Sequence, residues 1–146
     1  MANSKNELTV SNIRYLLVMY DLCEGGTGTR CVRIAEALGL SKPSVHAMVN
    51  TLKDMQLVHK DSYGVVSFTE QGQKLAEQYS GYFRTISGLF EALLPDSSDV
   101  RSAACALLSE IGPDHLNEMC KRIVQRKTET NPAPQVTCNY EWRDLT

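Results

Sequence analysis

The sequence predicts a mainly α-helical fold, an N-terminal winged helix-turn-helix followed by a helical domain. Three observations predict it. Residues 34–57, IAEALGLSKPSVHAMVNTLKDMQL, hold two helical patterns parted by Gly39-Leu40-Ser41. Residues 58–69, VHKDSYGVVSFT, then alternate around a Tyr63-Gly64 turn, as a β-hairpin does. Beyond them a helical periodicity runs almost unbroken from Thr69 to Leu94. Helix, turn, helix and hairpin in this order make a winged helix-turn-helix.

Each element has its own signals. Residues 1–8 are polar and are expected to fray. Ser11 is the expected cap of a first helix carrying Ile13, Leu16, Leu17, Met19, Tyr20 and Leu22, which stops at Glu24-Gly25-Gly26. Thr27-Gly28-Thr29 reads as a flexible loop, and Arg30 or Cys31 opens the second helix. That helix places Ile34, Ala35 and Leu38 on one face. In the third, Ser41 is the expected N-cap and Pro43 falls in the first turn, where a missing N–H costs nothing. Val45, Met48, Val49, Leu52 and Met55 form its apolar face, and its end is expected at Leu57-Val58. Val65 to Phe68 is the returning strand. Thr69 caps a long helix in which Gly72 is merely tolerated. That helix carries Leu75, Tyr79, Tyr82, Phe83, Ile86, Leu89, Phe90, Leu93 and Leu94, and Pro95-Asp96-Ser97-Ser98 breaks it. Two further helices are expected near Asp99–Ile111 and Pro113–Arg126, with an irregular tail from Lys127 that ends in a Tyr140-Glu141-Trp142 cluster. The expected division is a winged helix-turn-helix DNA-binding domain over residues 1–70 and a helical dimerisation domain with an irregular tail over residues 71–146.

Composition narrows the function. With 146 residues, 42% of them hydrophobic, the chain can bury a core. Its five cysteines show no CxxC spacing, and no secretory signal opens the sequence, so a cytoplasmic protein with reduced thiols is expected. No apolar run is long enough to cross a membrane. The net charge of −2 is unevenly placed. Between Arg30 and Lys60 stand five cations (Arg30, Arg33, Lys42, Lys53, Lys60) and two anions (Glu36, Asp54), a net of +3 that leaves −5 for the rest. Affinity for DNA comes largely from local phosphate contacts, so an acidic chain with a basic helix-turn-helix can bind DNA, and its binding should weaken with salt. Catalysis is not expected: no triad spacing, metal-hydrolase motif or strand-preceded glycine loop occurs.

The second helix of such a motif lies in the major groove. The candidate DNA-binding residues are Arg30, Ser41, Lys42, Pro43, Ser44, His46, Ala47, Asn50, Lys60 and Tyr63. Serine hydroxyls and a helix N-terminus suit phosphate oxygens. Pro43 suits thymine methyls, Lys42 and His46 suit phosphate or base edges, and Asn50, further down the helix, suits adenine.

Tyr15-Leu16-x-x-x-Tyr20-x-Leu22, Arg33-Ile34-Ala35-Glu36-Ala37-Leu38, Ser41-x-Pro43-Ser44-Val45, Val49, Leu57-Val58 and Thr69-x-x-Gly72 together resemble the diphtheria toxin repressor and manganese transport regulator family. The resemblance is gapless from the first helix into the recognition helix and fades over the helical tail, and the C-terminal SH3-like domain of the longer members has no counterpart. It implies a homodimeric, metal-activated repressor of a palindromic operator, with Ser41, Pro43 and Ser44 at the groove entrance and Arg30 and the wing near phosphates. A dimer would set two recognition helices in successive major grooves.

The family's metal ligands do not carry over. Arg14 stands at a Met or acidic ligand position, Leu17 at a carboxylate, Phe83 at the histidine of the long helix and Ser87 at a carboxylate one turn later. The C/E-x-x-E-H motif reads Arg101-Ser102-Ala103-Ala104-Cys105, of which only Cys105 can ligate. A fixed guanidinium charge repels a divalent cation. The resemblance thus implies a manganese, iron or zinc cofactor that the residues do not support. Arg14 would either hold an anion or pair with an acidic side chain; the second needs no ligand and is the expectation. Cys105, Asp114, His115, Glu118 and Cys120 are weak candidates for a relocated metal site, and the cysteines read equally well as small core residues. The leading reading is a homodimeric DNA-binding regulator, a repressor, that has lost its metal site. The competing readings are a metal-responsive repressor with a relocated site and a winged-helix protein-interaction module that no longer binds DNA.

Overall fold

The computed structural model describes residues 8–23, 26–96 and 99–130, with side chains to residue 126. The elements follow in the order α1 (Val10–Leu22), β1 (Thr29–Arg30), α2 (Cys31–Leu38), α3 (Lys42–Asp54), β2 (Val58–Lys60), β3 (Val65–Phe68), α4 (Glu70–Leu93), α5 (Val100–Glu110) and α6 (Pro113–Thr130). They are shared between two compact units, residues 14–80 in one and residues 8–13 with 81–130 in the other. The mainly α-helical winged fold is the one the sequence predicts.

In the unit of residues 14–80, α1 is buried nearly all round: Tyr15, Leu16, Leu17, Val18 and Met19 are all inside, as befits a central helix rather than a surface one. The opposite case is α2, a two-faced helix with Cys31, Ile34, Ala35 and Leu38 inside, which packs on α3. Val45, Val49 and Leu52 of α3 are fully buried, while Met48 and Met55 are only half-buried. Each of the three buried side chains contributes roughly 1.5–3 kcal/mol by leaving water. The three strands form an antiparallel sheet in the order β1-β3-β2, with Thr29 opposite Val66 and Val58 opposite Phe68.

In the other unit, Tyr82, Phe83 and Ile86 of α4, Val100, Ala104, Cys105 and Leu108 of α5, and Leu116 and Cys120 of α6 are buried. Leu93 and Leu94 at the end of α4 stand 66% and 56% exposed. No described helix is long and apolar enough to cross a membrane.

Several local expectations are corrected. Thr9, not Ser11, caps α1: its Oγ1 accepts from the Asn12 N–H at 3.1 Å, and its carbonyl accepts from Ile13. The helix runs to Leu22, and the first two residues of the expected Glu24-Gly25-Gly26 terminator lie outside the described residues. The Thr27-Gly28-Thr29 loop runs into a strand, β1. Gly28 permits this, because a Cβ there would lie 2.6 Å from Val65 Cγ1 and 2.7 Å from the Val66 carbonyl oxygen. The recognition helix ends at Asp54, not Leu57. Leu57 donates its N–H to the Leu52 carbonyl and Gln56 to that of Lys53, a paired-bond stop with Gln56 at φ 61°. The same bonding ends α2, with the expected glycine, Gly39, at φ 66°. The last helix continues past Arg126 to Thr130, so the tail is helical four residues beyond its expected end. The Tyr140-Glu141-Trp142 cluster lies outside the described residues.

Gly72 is required rather than tolerated. A Cβ there would overlap the Leu57 carbonyl oxygen. Gly72→Ala should therefore destabilise the fold by about 1–3 kcal/mol despite alanine's better helix propensity. A thermal melt checks this; an unchanged or raised midpoint would remove the close approach from the account.

Candidate nucleic-acid interface

The N-terminus of α3 is built by its cap. Ser41 has extended backbone, and its Oγ accepts from the Ser44 N–H at 3.4 Å and lies 2.8 Å from the Ser44 hydroxyl. Pro43 sits in the first turn and carries no N–H. Ser41, Lys42, Pro43 and Ser44 are all exposed, as are His46, Ala47 and Asn50. The residues between them, Val45 and Val49, anchor the opposite face. The first turn of a helix leaves backbone donors free, and the helix dipole favours anions there.

The wing stands beside it. Thr29 pairs with Val66 and Arg30 with Val65, so Arg30 is exposed on the sheet edge next to the wing turn. Lys60 is half-buried in β2, and its Nζ lies 3.0 Å from His46 Nδ1 on α3. Tyr63 is 83% exposed at the turn. Asp61 organises that turn: its Oδ1 accepts from the N–H groups of Tyr63 at 2.8 Å and Val65 at 2.9 Å, and its carbonyl accepts from Gly64 at 3.2 Å. Sequence reasoning gave the turn to Tyr63 and Gly64 and missed Asp61. The signal was there, since an aspartate opening Asp-Ser-Tyr-Gly is a standard Asx-turn residue.

Behind the wing, Lys53, Gln56, Val58, His59, Thr69 and Lys74 line an open groove. Lys74 is paired with Glu70 at 3.2 Å, an exposed bridge of little energetic consequence.

The positions that correspond to the family's metal ligands hold the wrong chemistry. Arg14 has its Nε and Nη2 buried with no hydrogen-bond partner. Its charge is close enough to Tyr15 to oppose the rise that burial imposes on that phenol. Leu17 and Phe83 are buried carbon, Ser87 is buried with its hydroxyl unpartnered, and Cys105 is buried in α5. A guanidinium charge with two unmet donors repels a second cation. Of the relocated-site candidates, Cys105 and Cys120 point into the core while Asp114, His115 and Glu118 are exposed on α6. Among the described residues no three His, Cys, Asp or Glu side chains gather where an ion could be held. The described cysteines, Cys23, Cys31, Cys105 and Cys120, are buried and form no disulfide, and burial pushes the Cys23 and Cys120 thiols up, away from the thiolate form.

Residues 7–66 match the family described as iron dependent repressor, N-terminal DNA binding domain. Among solved structures, the manganese regulator SloR is similar over 84% of this chain and 55% of its own, at 26% identity and a TM-score of 0.66. IdeR of T. acidophilum is similar over 88% of this chain and 65% of its own, at 18% identity and a TM-score of 0.61. ScaR with bound Zn2+ is similar over 80% of this chain and 54% of its own, at 22% identity and a TM-score of 0.57. The chain thus spans between about half and two thirds of the length of these regulators. The curated proteins contain no significant match.

Replacing Asp61 with Ala should loosen the wing while leaving the helical core folded. Amide exchange at Tyr63 and Val65 should quicken by roughly tenfold or more, the worth of one or two charge-assisted hydrogen bonds. Unchanged exchange at both amides would show that the turn does not depend on this carboxylate.

Proposed function

We propose, from the match of residues 7–66 to the iron dependent repressor N-terminal DNA-binding family, that this chain is a homodimeric, cytoplasmic transcriptional repressor that binds a palindromic operator without an activating metal. The observation that carries the DNA-binding part is the exposed first two turns of α3. They present a capped, dipole-favoured helix end and the side chains of Lys42, Ser44, His46 and Asn50 within a segment of net charge +3. Residues 1–70 are the DNA-reading part. Residues 71–146 are the dimerisation part, for which the exposed Leu93, Leu94 and Val124 supply apolar surface. Nothing in the chain's chemistry asks for an enzyme.

The metal-free part rests on Arg14. Its Nε and Nη2 are buried without acceptors, and the other inherited ligand positions hold Leu17, Phe83, Ser87 and Cys105. These residues do not fit a divalent cation, and no step of the proposed function is routed through one.

Operator binding should be salt-sensitive and indifferent to chelator. A sequence selected by the purified chain from a randomised DNA pool, bound in chelator and then in manganese, iron(II) or zinc, tests it. Binding that appears only with metal would overturn the metal-free reading, and no selectable sequence would overturn DNA binding itself.

Removing the half-buried charge gives an independent check. Arg14→Met takes away a cation with two unmet buried donors, and a buried donor left unsatisfied costs about 1–3 kcal/mol. The melting midpoint should rise by several degrees, with no gain of metal dependence. A lowered midpoint would mean that Arg14 has an anionic partner in solution.

A further inference from the structure

We propose that Lys60 is a positioning residue: its ammonium holds His46 as the Nε2–H tautomer, so that α3 presents a single ring N–H donor to the acceptor-only edge of guanine. The proposal rests on the DNA-binding reading above and deepens it.

Lys60 Nζ lies 3.0 Å from His46 Nδ1. An ammonium has three donors and no acceptor, so Nδ1 must be the acceptor. A neutral imidazole that accepts at Nδ1 carries its proton on Nε2, and the bond made by one ring nitrogen thereby fixes the role of the other. Both ends of the pair are on rigid elements. Lys60 belongs to β2, in register with the fully buried Val66 of β3. His46 follows the fully buried Val45 on α3 and has the exposed Ala47 beside it, a methyl that offers no competing polar group. The ring is exposed on the same stretch as Ser44 and Asn50. Lys60 commits one of its three donors to the ring, whereas Lys42 stands exposed at the start of α3.

A lone outward donor discriminates between bases. In the major groove guanine shows two adjacent acceptors, N7 and O6, thymine shows O4 beside a methyl, adenine shows N7 beside an amino donor, and cytosine shows only an amino donor. A ring whose lone pair is already taken by Lys60 cannot accept from the amino groups, so cytosine is excluded and guanine, which offers two acceptors and no donor, is favoured.

Two measurements test this on the full chain. In free protein, with the imidazole neutral, the His46 ring nitrogen-15 shifts should report one tautomer, protonated at Nε2 and hydrogen-bonded at Nδ1. Lys60→Met should move the Nδ1 shift toward the unbonded value; an unmoved shift overturns the pairing whether or not DNA binds. On a sequence selected from a randomised pool, Lys60→Met should weaken binding roughly 3- to 10-fold, the scale of one hydrogen bond. Its salt dependence should be unchanged, whereas Lys42→Met should flatten the log–log salt slope by about 0.9. The double variant Lys60→Met/His46→Ala should bind no more weakly than His46→Ala alone. Replacing the contacted guanine with 7-deazaguanine should weaken the unaltered chain but not His46→Ala. A flattened slope for Lys60→Met, with losses that multiply in the double variant, would make Lys60 an ordinary phosphate contact. A selected sequence indifferent to 7-deazaguanine sinks only the base readout, while a pool that yields no sequence sinks that readout together with the DNA-binding reading.

Discussion

The wing and the recognition helix are held in register by one junction, built around Thr69. Its N–H donates to the Leu57 carbonyl at 3.0 Å, and its hydroxyl donates to the Gln56 carbonyl at 2.8 Å while accepting from the Gly72 N–H at 2.9 Å. Gln56 and Leu57 make the bonds that stop the chain after α3, and Thr69 immediately precedes α4. Three elements are therefore tied at one point, and the hairpin between them has both its ends fixed. The bare Cα of Gly72 is what lets α4 come this close to Leu57. Hydrogen-bonded backbone in a half-buried turn is costly to leave unpaired, so the junction tends to form completely or not at all.

That constraint gives the surface its meaning. The exposed side chains of α3 are short or flexible, and individually any of them could be ordinary solvated polar groups. Held against a wing whose turn is set by Asp61 and whose Lys60 reaches His46, they become a fixed pattern of donors. Fixing a pattern before binding lowers the ordering cost of recognition, which is where a small interface gains or loses affinity. The acidic balance of the whole chain does not oppose this, because screening confines each charge to about 8–10 Å at ordinary ionic strength, and residues 30–60 carry a net charge of +3.

The fold was largely legible because its main signals are periodic. Buried Val45, Val49 and Leu52 recur at helical spacing, and Ser41 and Thr69 are caps by residue type. What escaped lacks periodicity or a distinctive residue. A two-residue strand such as β1 is too short to alternate, and the glycine that admits it, Gly28, looks like any loop glycine. The end of α3 was misplaced because its left-handed residue is Gln56, where the matching stop of α2 announces itself with Gly39. Thr9 and Ser11 are equally good caps on paper; the hydrogen bond to Asn12 decides between them. On the candidate site, the exposed residues of α3 follow directly from its apolar face, but the His46–Lys60 bond joins residues fourteen apart on different elements, and no local pattern reports it. Arg14 was legible as a charge out of place; that two of its donors lack acceptors was not.

Regulation by a ligand requires a difference in its affinity for two states of the protein, commonly 1–3 kcal/mol of coupling. A divalent ion supplies that coupling only through donors able to hold it. At the positions in question this chain has a guanidinium, two carbon side chains, a neutral hydroxyl and a buried cysteine. Such residues offer a divalent ion no ligand set at those positions, as the proposed metal-free function requires. The reading surface must then owe its order to interactions within the winged unit itself, and the bonds at Ser41, Asp61, Thr69 and His46 are of the kind that provide it. A surface organised by its own hydrogen bonds is consistent with the proposed loss of the metal donors, because a face ordered in this way needs no bound ion to order it.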